Sequence, residues 1–287
     1  MSAQLLEGKN IAGKIKEVLK SEVHFLKEKF GAGPKLVSIQ IGENAASSVY
    51  IKSQIKAAEN LGIEYELKTL DGGITQEGIL KEIRGLNLDN KVSGIIVQLP
   101  LPKQIDHKAL MGAILPEKDA EGMHPENLGK LLLGNFKIAP CTAQAAMELI
   151  TSTGENLYGK EAVIVGHSEI VGKPMSLLLL NQFVTTTVCH IATGERGVLP
   201  EHVKTAEILV VAVGKAGLVR GEWIKEGAIV IDVGINRVEG KIVGDVEFDK
   251  AKERAKFITP VPGGVGPLTV TMLLRNVVNA FKMQHNA

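Results

Sequence analysis

The chain lacks most of what would tie it to nucleic acid, a membrane or a metal. Its 33 Lys and Arg nearly match its 32 Asp and Glu, and the two signs are interspersed. With no basic block there is no field to gather a polyanion, so no nucleic-acid partner is expected. No run of about 18 uncharged apolar residues occurs, so no membrane-spanning helix is expected. The opening Met-Ser-Ala-Gln-Leu-Leu-Glu-Gly has no basic region leading into an apolar stretch; a secretory signal is not expected and a cytoplasmic location is. There are two cysteines, Cys141 and Cys189, and neither a Cys-x-x-Cys nor a His-x-x-x-His pair. A disulfide framework and a bound metal are therefore not expected. Aromatic residues make up 4% against 45% hydrophobic overall, so the core must be built from Val, Ile, Leu and Ala. That is the composition of parallel sheets covered by helices on both faces.

What is present alternates between strand and helix. A helix is expected over 8–30, ended by Gly31 and Gly33-Pro34. Strands follow at 34–42, 64–70 and 92–99, separated by helices at 48–61 and 75–86. The centre of the third strand, Ser93-Gly-Ile-Ile-Val97, is apolar enough to be buried on both faces. Residues 100–140 change character, with turns at Pro100, Pro102, Pro116, Pro125 and Pro140, and are expected to form active-site loops and the joint between two domains. Four more apolar strands are expected at 161–165, 185–189, 208–213 and 228–232, then a last helix over about 268–283 that packs back on the first domain. Strands alternating with helices imply right-handed crossovers, hence a two-domain α/β fold with mostly parallel sheets and a Rossmann-type second domain.

The chemistry gathers where strands end. After Val165 comes Gly166-His167-Ser168-Glu169-Ile170-Val171-Gly172-Lys173-Pro174. A strand entering glycines at a helix start offers backbone N–H groups to a pyrophosphate. The strict G-x-G-x-x-G is absent, because Ser168 holds the second glycine place and Gly172 comes one residue late; a plain tight turn is the alternative reading. Val213-Gly214 and Asp232-Val-Gly-Ile-Asn236 place further small residues at strand ends. Asp232 has two readings, a ligand-facing carboxylate or a buried one that caps a turn.

Several strings then occur in order. They are Ser48-Val-Tyr50-Ile-Lys52, Val97-Gln98-Leu99-Pro100-Leu101-Pro102, Pro116-Glu-Lys-Asp-Ala-Glu121-Gly122 and the Gly166–Pro174 turn. Asp232–Asn236, Gly244-Asp-Val246 and Thr259-Pro-Val-Pro262-Gly263-Gly264-Val265-Gly266-Pro267 complete them. On these the whole chain resembles the bifunctional methylenetetrahydrofolate dehydrogenase/cyclohydrolase family. The resemblance implies a homodimer acting on tetrahydrofolate one-carbon derivatives with NAD or NADP. It implies a folate-binding catalytic domain of residues 1–139 plus 268–287, and a Rossmann-type NAD(P)-binding domain of residues 140–267. Tyr50 would meet the folate and Gln98 would orient the reacting centre. Val97, Leu99, Pro262, Gly263 and Gly264 would lie against the substrate. Gly166, His167, Ser168, Ile191, Ile235, Val265 and Gly266 would line the cofactor. Taken alone, Tyr50 reads as a half-buried helix aromatic and the Pro/Gly loop as a turn without the Lys-Ser/Thr of a phosphate loop.

Three departures from the family pattern carry the functional expectation. The family has lysine one helical turn after the tyrosine, and here that residue is Gln54, on the same face as Tyr50. Lys52 and Lys56 lie roughly 200° around the helix from it at about 100° per residue. In the dehydrogenase step a folate nitrogen lone pair drives hydride to the nicotinamide, and the protein mainly positions the partners. The cyclohydrolase step adds water and opens a C–N bond, which needs a group that titrates. Glutamine cannot ionise, so the dehydrogenase is expected to survive and the cyclohydrolase to be weak or absent.

The second departure is Glu121 in place of aspartate, where the family's carboxylate grips the donor edge of the pterin. Asp119 is the nearby alternative for that role, and a solvated loop glutamate is the bland reading. The third concerns the 2′-phosphate of NADP. The family's basic and hydroxyl residues are replaced by His167 and Ile191, which offer little to a dianion. Glu195 stands near where an acid meets a free ribose hydroxyl, or is a plain loop residue. The expectation leans to NAD. Two other readings stand beside the enzyme: a folate-binding paralogue that has lost catalysis, motivated by Gln54 and Glu121, and a different two-domain dehydrogenase, which the Val97–Pro102 and Pro262–Gly266 strings argue against.

Overall fold

A computed structural model describes residues 2–42 and 45–287. The chain opens with a two-residue strand, β1 (Gln4–Leu5), and the long helix α1 (Gly8–Phe30). Then come β2 (Lys35–Ile41), α2 (Ala45–Leu61), β3 (Glu64–Leu70), α3 (Gln76–Leu88) and β4 (Gly94–Val97). The short helices α4 (His107–Ala113) and α5 (Pro125–Leu132) precede α6 (Cys141–Thr151). Alternation resumes with β5 (Glu161–Val165), α7 (Gly172–Leu180), β6 (Thr185–Cys189), α8 (Ile191–Glu195), α9 (Leu199–Thr205), β7 (Ile208–Val211) and β8 (Ile229–Asp232). A hairpin of β9 (Asn236–Val238) and β10 (Lys241–Val243), then α10 (Phe248–Arg254), β11 (Phe257–Ile258) and α11 (Val265–Gln284), complete the chain.

The chain divides into two compact units: Lys14–Cys141 with Val270–Ala287, and the described residues up to Gly13 with Thr142–Thr269. In the first, β2 lies between β3 and β4 in a parallel three-stranded sheet. Strand side chains alternate between faces. Val37 and Ile39 of β2 with Ile95 and Val97 of β4 therefore share one face, which packs on Ile79 and Ile83 of α3 and Leu110 of α4. Each such fully buried Ile or Leu stabilises the fold by ~1.5–3 kcal/mol. α3 starts where Thr75 caps it, its hydroxyl accepting from Gly78 N at 3.1 Å. The outer edge of β4 is covered by the chain itself: Ile95 bridges in parallel to Asp119, and Ala120 N donates to Ile95 O at 3.2 Å. α11 closes this unit, as Asn276 Nδ2 donates to the Ala120 and Ala139 carbonyls, each at 2.9 Å.

The second unit is a six-stranded parallel sheet in the order β1-β11-β8-β7-β5-β6. Val163 and Val165 of β5, Leu209 and Val211 of β7, and Val230 of β8 build one core, joined by Ala3 and Ile258. Four strands are expected here from the sequence, and six are found. Gln4–Leu5 and Phe257–Ile258 are too short to show a period of two, and only their pairing makes them strands. The same pairing accounts for the placing of the described residues up to Gly13 with Thr142–Thr269. The segment 100–140 is likewise more than loops. Asp106 caps α4 by accepting from Lys108 N at 2.9 Å, and Pro125 opens α5. Proline at a first helical turn starts a helix as readily as it marks a loop. Among the described residues no helix is long and apolar enough to cross a membrane.

Candidate active site

In the first unit the register sets the site. Leu36 pairs with Tyr65 and Gly94, and Ser38 with Leu67 and Ile96. Alternation places Ser38, Tyr65 and Gln98 on the face opposite the α3 core, where α2 lays down Gln54. Gln54 is fully buried. Its Oε1 accepts from Tyr65 Oη at 2.8 Å and from Gln98 Nε2 at 2.9 Å, and Gln98 Nε2 also donates to Ser38 Oγ at 2.9 Å. Lys52 and Lys56 are exposed, so neither reaches this cluster. Burial, together with the neighbouring Cys141 and Glu121, holds the Tyr50 hydroxyl well above its ordinary range. Burial likewise pushes Tyr65 up to about 12, against a favourable hydrogen bond from Ser38. Both phenols are therefore neutral at physiological pH.

The bridge beside β4 carries Glu121 toward the carboxyl end of that strand. Asp119, the competing carboxylate, is buried and already committed. Its Oδ1 accepts from Gly122 N at 2.9 Å, and its Oδ2 from His124 N at 2.7 Å and Asn127 Nδ2 at 2.9 Å. It holds the loop. Glu121 is half-buried, and burial first and the Asp119 charge second push its carboxyl up to about 8. A solvated loop glutamate would show no such shift. Glu121 is thus the titrating group close to Tyr50. Cys141 is buried behind it, its Sγ 3.4 Å from Ala120 O. Leu99 is exposed, whereas Val97 packs its side chain into the α3 core and offers a ligand only backbone.

In the second unit β5 runs into Gly166, where φ is +124°. A Cβ on Gly166 would stand 2.3 Å from Ala212 O, and one on Gly172 would stand 2.0 Å from Gly166 O. Only glycine permits this stacked turn. Ser168 Oγ accepts from Val171 N at 3.1 Å and builds the turn from within. The backbone cradle ahead of α7 fits a dinucleotide pyrophosphate. His167 is exposed, with its ring 5.5 Å from that of His190 at the end of β6. Ile191 and Ile235 are also exposed, at 75% and 69%. Glu195 lies in the last turn of α8, rather than in a loop.

Asp232 is buried and caps the turns around it. Its Oδ1 accepts from Gly234 N at 2.9 Å and Asp245 N at 3.0 Å, and its Oδ2 from Val246 N at 2.9 Å. Burial raises it to about 6 despite these bonds. Asp245 in turn accepts from Val213 N at 2.7 Å, Gly214 N at 2.9 Å, Lys215 N at 2.8 Å and Asn236 Nδ2 at 2.8 Å. The pair ties the loop after β7 to the loop after β8. A cavity of about 500 Å³ opens beside it, with Gly244, Pro260 and Val261 in its wall. Pro262, Gly263 and Gly266 are exposed, while Gly264 and Val265 are buried, and Gly263 O accepts from Gly8 N at 2.9 Å. Ser38, Tyr65, Asn276 and the clamp formed by Asp245 are not legible as site residues from spacing alone. Tyr65 does leave a trace, since a tyrosine on the inward face of Glu64-Tyr-Glu-Leu-Lys-Thr-Leu70 needs a partner for its hydroxyl.

The model of the tetrahydrofolate dehydrogenase/cyclohydrolase catalytic domain matches residues 6–121, and that of the family's NAD(P)-binding domain matches residues 140–285. The chain belongs to the tetrahydrofolate dehydrogenase/cyclohydrolase family. The bifunctional protein FolD of Acetivibrio thermocellus is 52% identical over 285 residues, 99% of each chain, and that of Bacillus pumilus 50% over 283 residues, 98% of this chain and 99% of its own. Among solved structures, the bifunctional FolD of Campylobacter jejuni aligns with a TM-score of 0.94 at 46% identity, covering 98% and 99% of the two chains. The Trypanosoma brucei FolD, solved with NADP and an inhibitor, aligns with a TM-score of 0.94 at 42% identity over the full length of both.

Proposed function

We propose that the chain oxidises 5,10-methylenetetrahydrofolate to the 5,10-methenyl form with a nicotinamide dinucleotide, NAD in preference to NADP, and that it hydrolyses the methenyl form weakly or not at all. The observation that carries this reading is Gln54, fully buried among neutral partners where the resemblance expects a lysine. A bound nicotinamide supplies the hydride acceptor. The chain's own residues then need only bind and orient: the Gly166 turn for the pyrophosphate, Tyr50 and Gln98 for the folate, and Glu121 for the pterin edge.

Hydrolysis asks for more, because water must lose a proton as the leaving nitrogen gains one. Gln54 does neither, and both tyrosines are held neutral. Loss of such help typically costs a factor of about 10² to 10⁴. The NAD preference rests on His167 and Ile191, which place no fixed cation where a 2′-phosphate would sit. The resemblance also supports a homodimer, which the mass in solution will report.

The deciding experiment follows reduced nicotinamide and methenyl-folate together, using purified protein, methylenetetrahydrofolate and either dinucleotide. Accumulation of both at matching rates supports the proposal. Consumption of methenyl-folate as fast as it forms overturns its second half. If that hydrolysis breaks near pH 8 and Glu121→Gln removes it, Glu121 has taken over the proton transfer. No turnover with either dinucleotide, alongside tight folate binding, favours the paralogue that only binds.

A further inference from the structure

Gln54 is held in one orientation by its neighbours. Both acceptor directions of its Oε1 are filled, by Tyr65 Oη at 2.8 Å and Gln98 Nε2 at 2.9 Å. Ser38 supports the arrangement by accepting from Gln98 at 2.9 Å. An amide whose oxygen is committed in this way must turn its nitrogen the other way. Gln54 Nε2 is buried and finds no hydrogen-bond partner among the described residues. The Gln54 side chain faces the Tyr50 hydroxyl one helical turn away and offsets part of the rise that burial imposes on that phenol. A buried, unpaired donor is costly, and native structures keep few of them.

We propose that Tyr65 is a positioning residue of this site: by occupying the Gln54 carbonyl, it holds the Gln54 amide nitrogen toward the Tyr50 side as a standing donor for an acceptor atom of the bound one-carbon folate. The inference rests on the folate reading given above and adds to it a residue outside every string that carries the resemblance. It also assigns Gln54 a task other than the proton transfer it cannot perform. The donor is complementary to a folate carbonyl oxygen or nitrogen lone pair, and its orientation is fixed before the ligand arrives.

The experiment uses the full chain and two variants, with tetrahydrofolate binding followed by calorimetry and the Michaelis constants of folate and dinucleotide measured separately. Tyr65→Phe keeps the ring and removes the hydroxyl. Expected is a three- to tenfold rise, to order of magnitude, in the folate dissociation constant and KM, with the dinucleotide KM and the melting temperature unchanged. Gln54→Glu keeps an oxygen for Tyr65 and Gln98 but replaces the free donor by an acceptor. Its loss of folate affinity should exceed that of Tyr65→Phe. Tyr65→Phe binding folate as the parent does overturns the positioning role. A Gln54→Glu variant with parental folate affinity overturns the donor. If Tyr65→Phe melts lower and raises both Michaelis constants together, its role is structural and the proposal fails. A parent chain that binds no tetrahydrofolate overturns the folate reading itself, and this inference with it.

Discussion

A methyl group on Gly172 would stand 2.0 Å from the carbonyl oxygen of Gly166, six residues earlier. The two glycines are the contact about which the turn between β5 and α7 closes. Gly172→Ala cannot be absorbed by a side chain moving aside, because the obstacle is backbone. The expected outcome is a displaced start of α7, at least a tenfold rise in dinucleotide KM, and unchanged tetrahydrofolate binding. Fluorescence titration with NADH and calorimetry with tetrahydrofolate separate the two. Parental NADH affinity would remove the cradle from the cofactor site.

Restoring a titratable amine at position 54 should restore hydrolysis. Gln54→Lys brings an ammonium into a cluster whose members are all neutral, and burial would lower its pKa toward neutrality. A rise of about 10² in methenyl-folate hydrolysis is expected, with a pH dependence the parent lacks. The decay of methenyl-folate absorbance measures it. Unchanged hydrolysis in a folded variant would mean that position 54 is not where the proton moves.

Glu121 makes folate binding depend on pH. Its carboxyl, raised from 4.5 to about 8 by burial and then by Asp119, carries a proton in the folded protein that the unfolded chain has released. Its contribution to stability is therefore full below about pH 4.5 and lost as the pH rises through 8. Binding runs in the opposite sense, because donor N–H groups of a pterin require the carboxylate. The folate KM is expected to fall as the pH approaches about 8 and to level off above it, and Glu121→Gln should flatten the profile. A parental KM independent of pH between about 6 and 8 argues against this role.

Asp245 should matter for stability and for the cofactor together. It accepts three hydrogen bonds from the loop after β7 and one from Asn236 at the start of β9. Asp245→Ala takes the acceptor from three backbone N–H groups and leaves the Asn236 amide only its longer bond to Val243 O, at a cost of about 3 kcal/mol. Chemical denaturation measures the loss, and a higher dinucleotide KM with unchanged folate affinity would place it in the nucleotide-side unit.

Cofactor choice is tested by one exchange. His167→Arg supplies a permanent cation beside His190, and the ratio of kcat/KM for NADP over NAD is expected to rise at least tenfold. A parent that already prefers NADP strongly would reverse the assignment.

What the sequence revealed follows from how each signal arises. β3, β5 and β6 are legible to the residue, because runs such as Glu161-Ala-Val-Ile-Val165 end in glycine or a polar turn. α1 is equally clear, running from Gly8 to the break at Gly31. β1 and β11 are invisible, since two residues carry no period and exist as strands only through long-range pairing. The site divides the same way. Tyr50, Gln54, Gln98 and Glu121 stand out against a family pattern, whereas Tyr65 and Ser38 become neighbours of Gln54 only through a register that no local string encodes.

The pairing of β1 with β11 bears on how the molecule can be taken apart. A fragment cut at the start of the family's NAD(P)-binding match, residue 140, would lack Gln4 and Leu5 and leave Phe257 and Ile258 as an open sheet edge. Open edges invite pairing between molecules. Such a fragment should self-associate, and a short peptide carrying the first dozen residues, added in trans, should return it to solution.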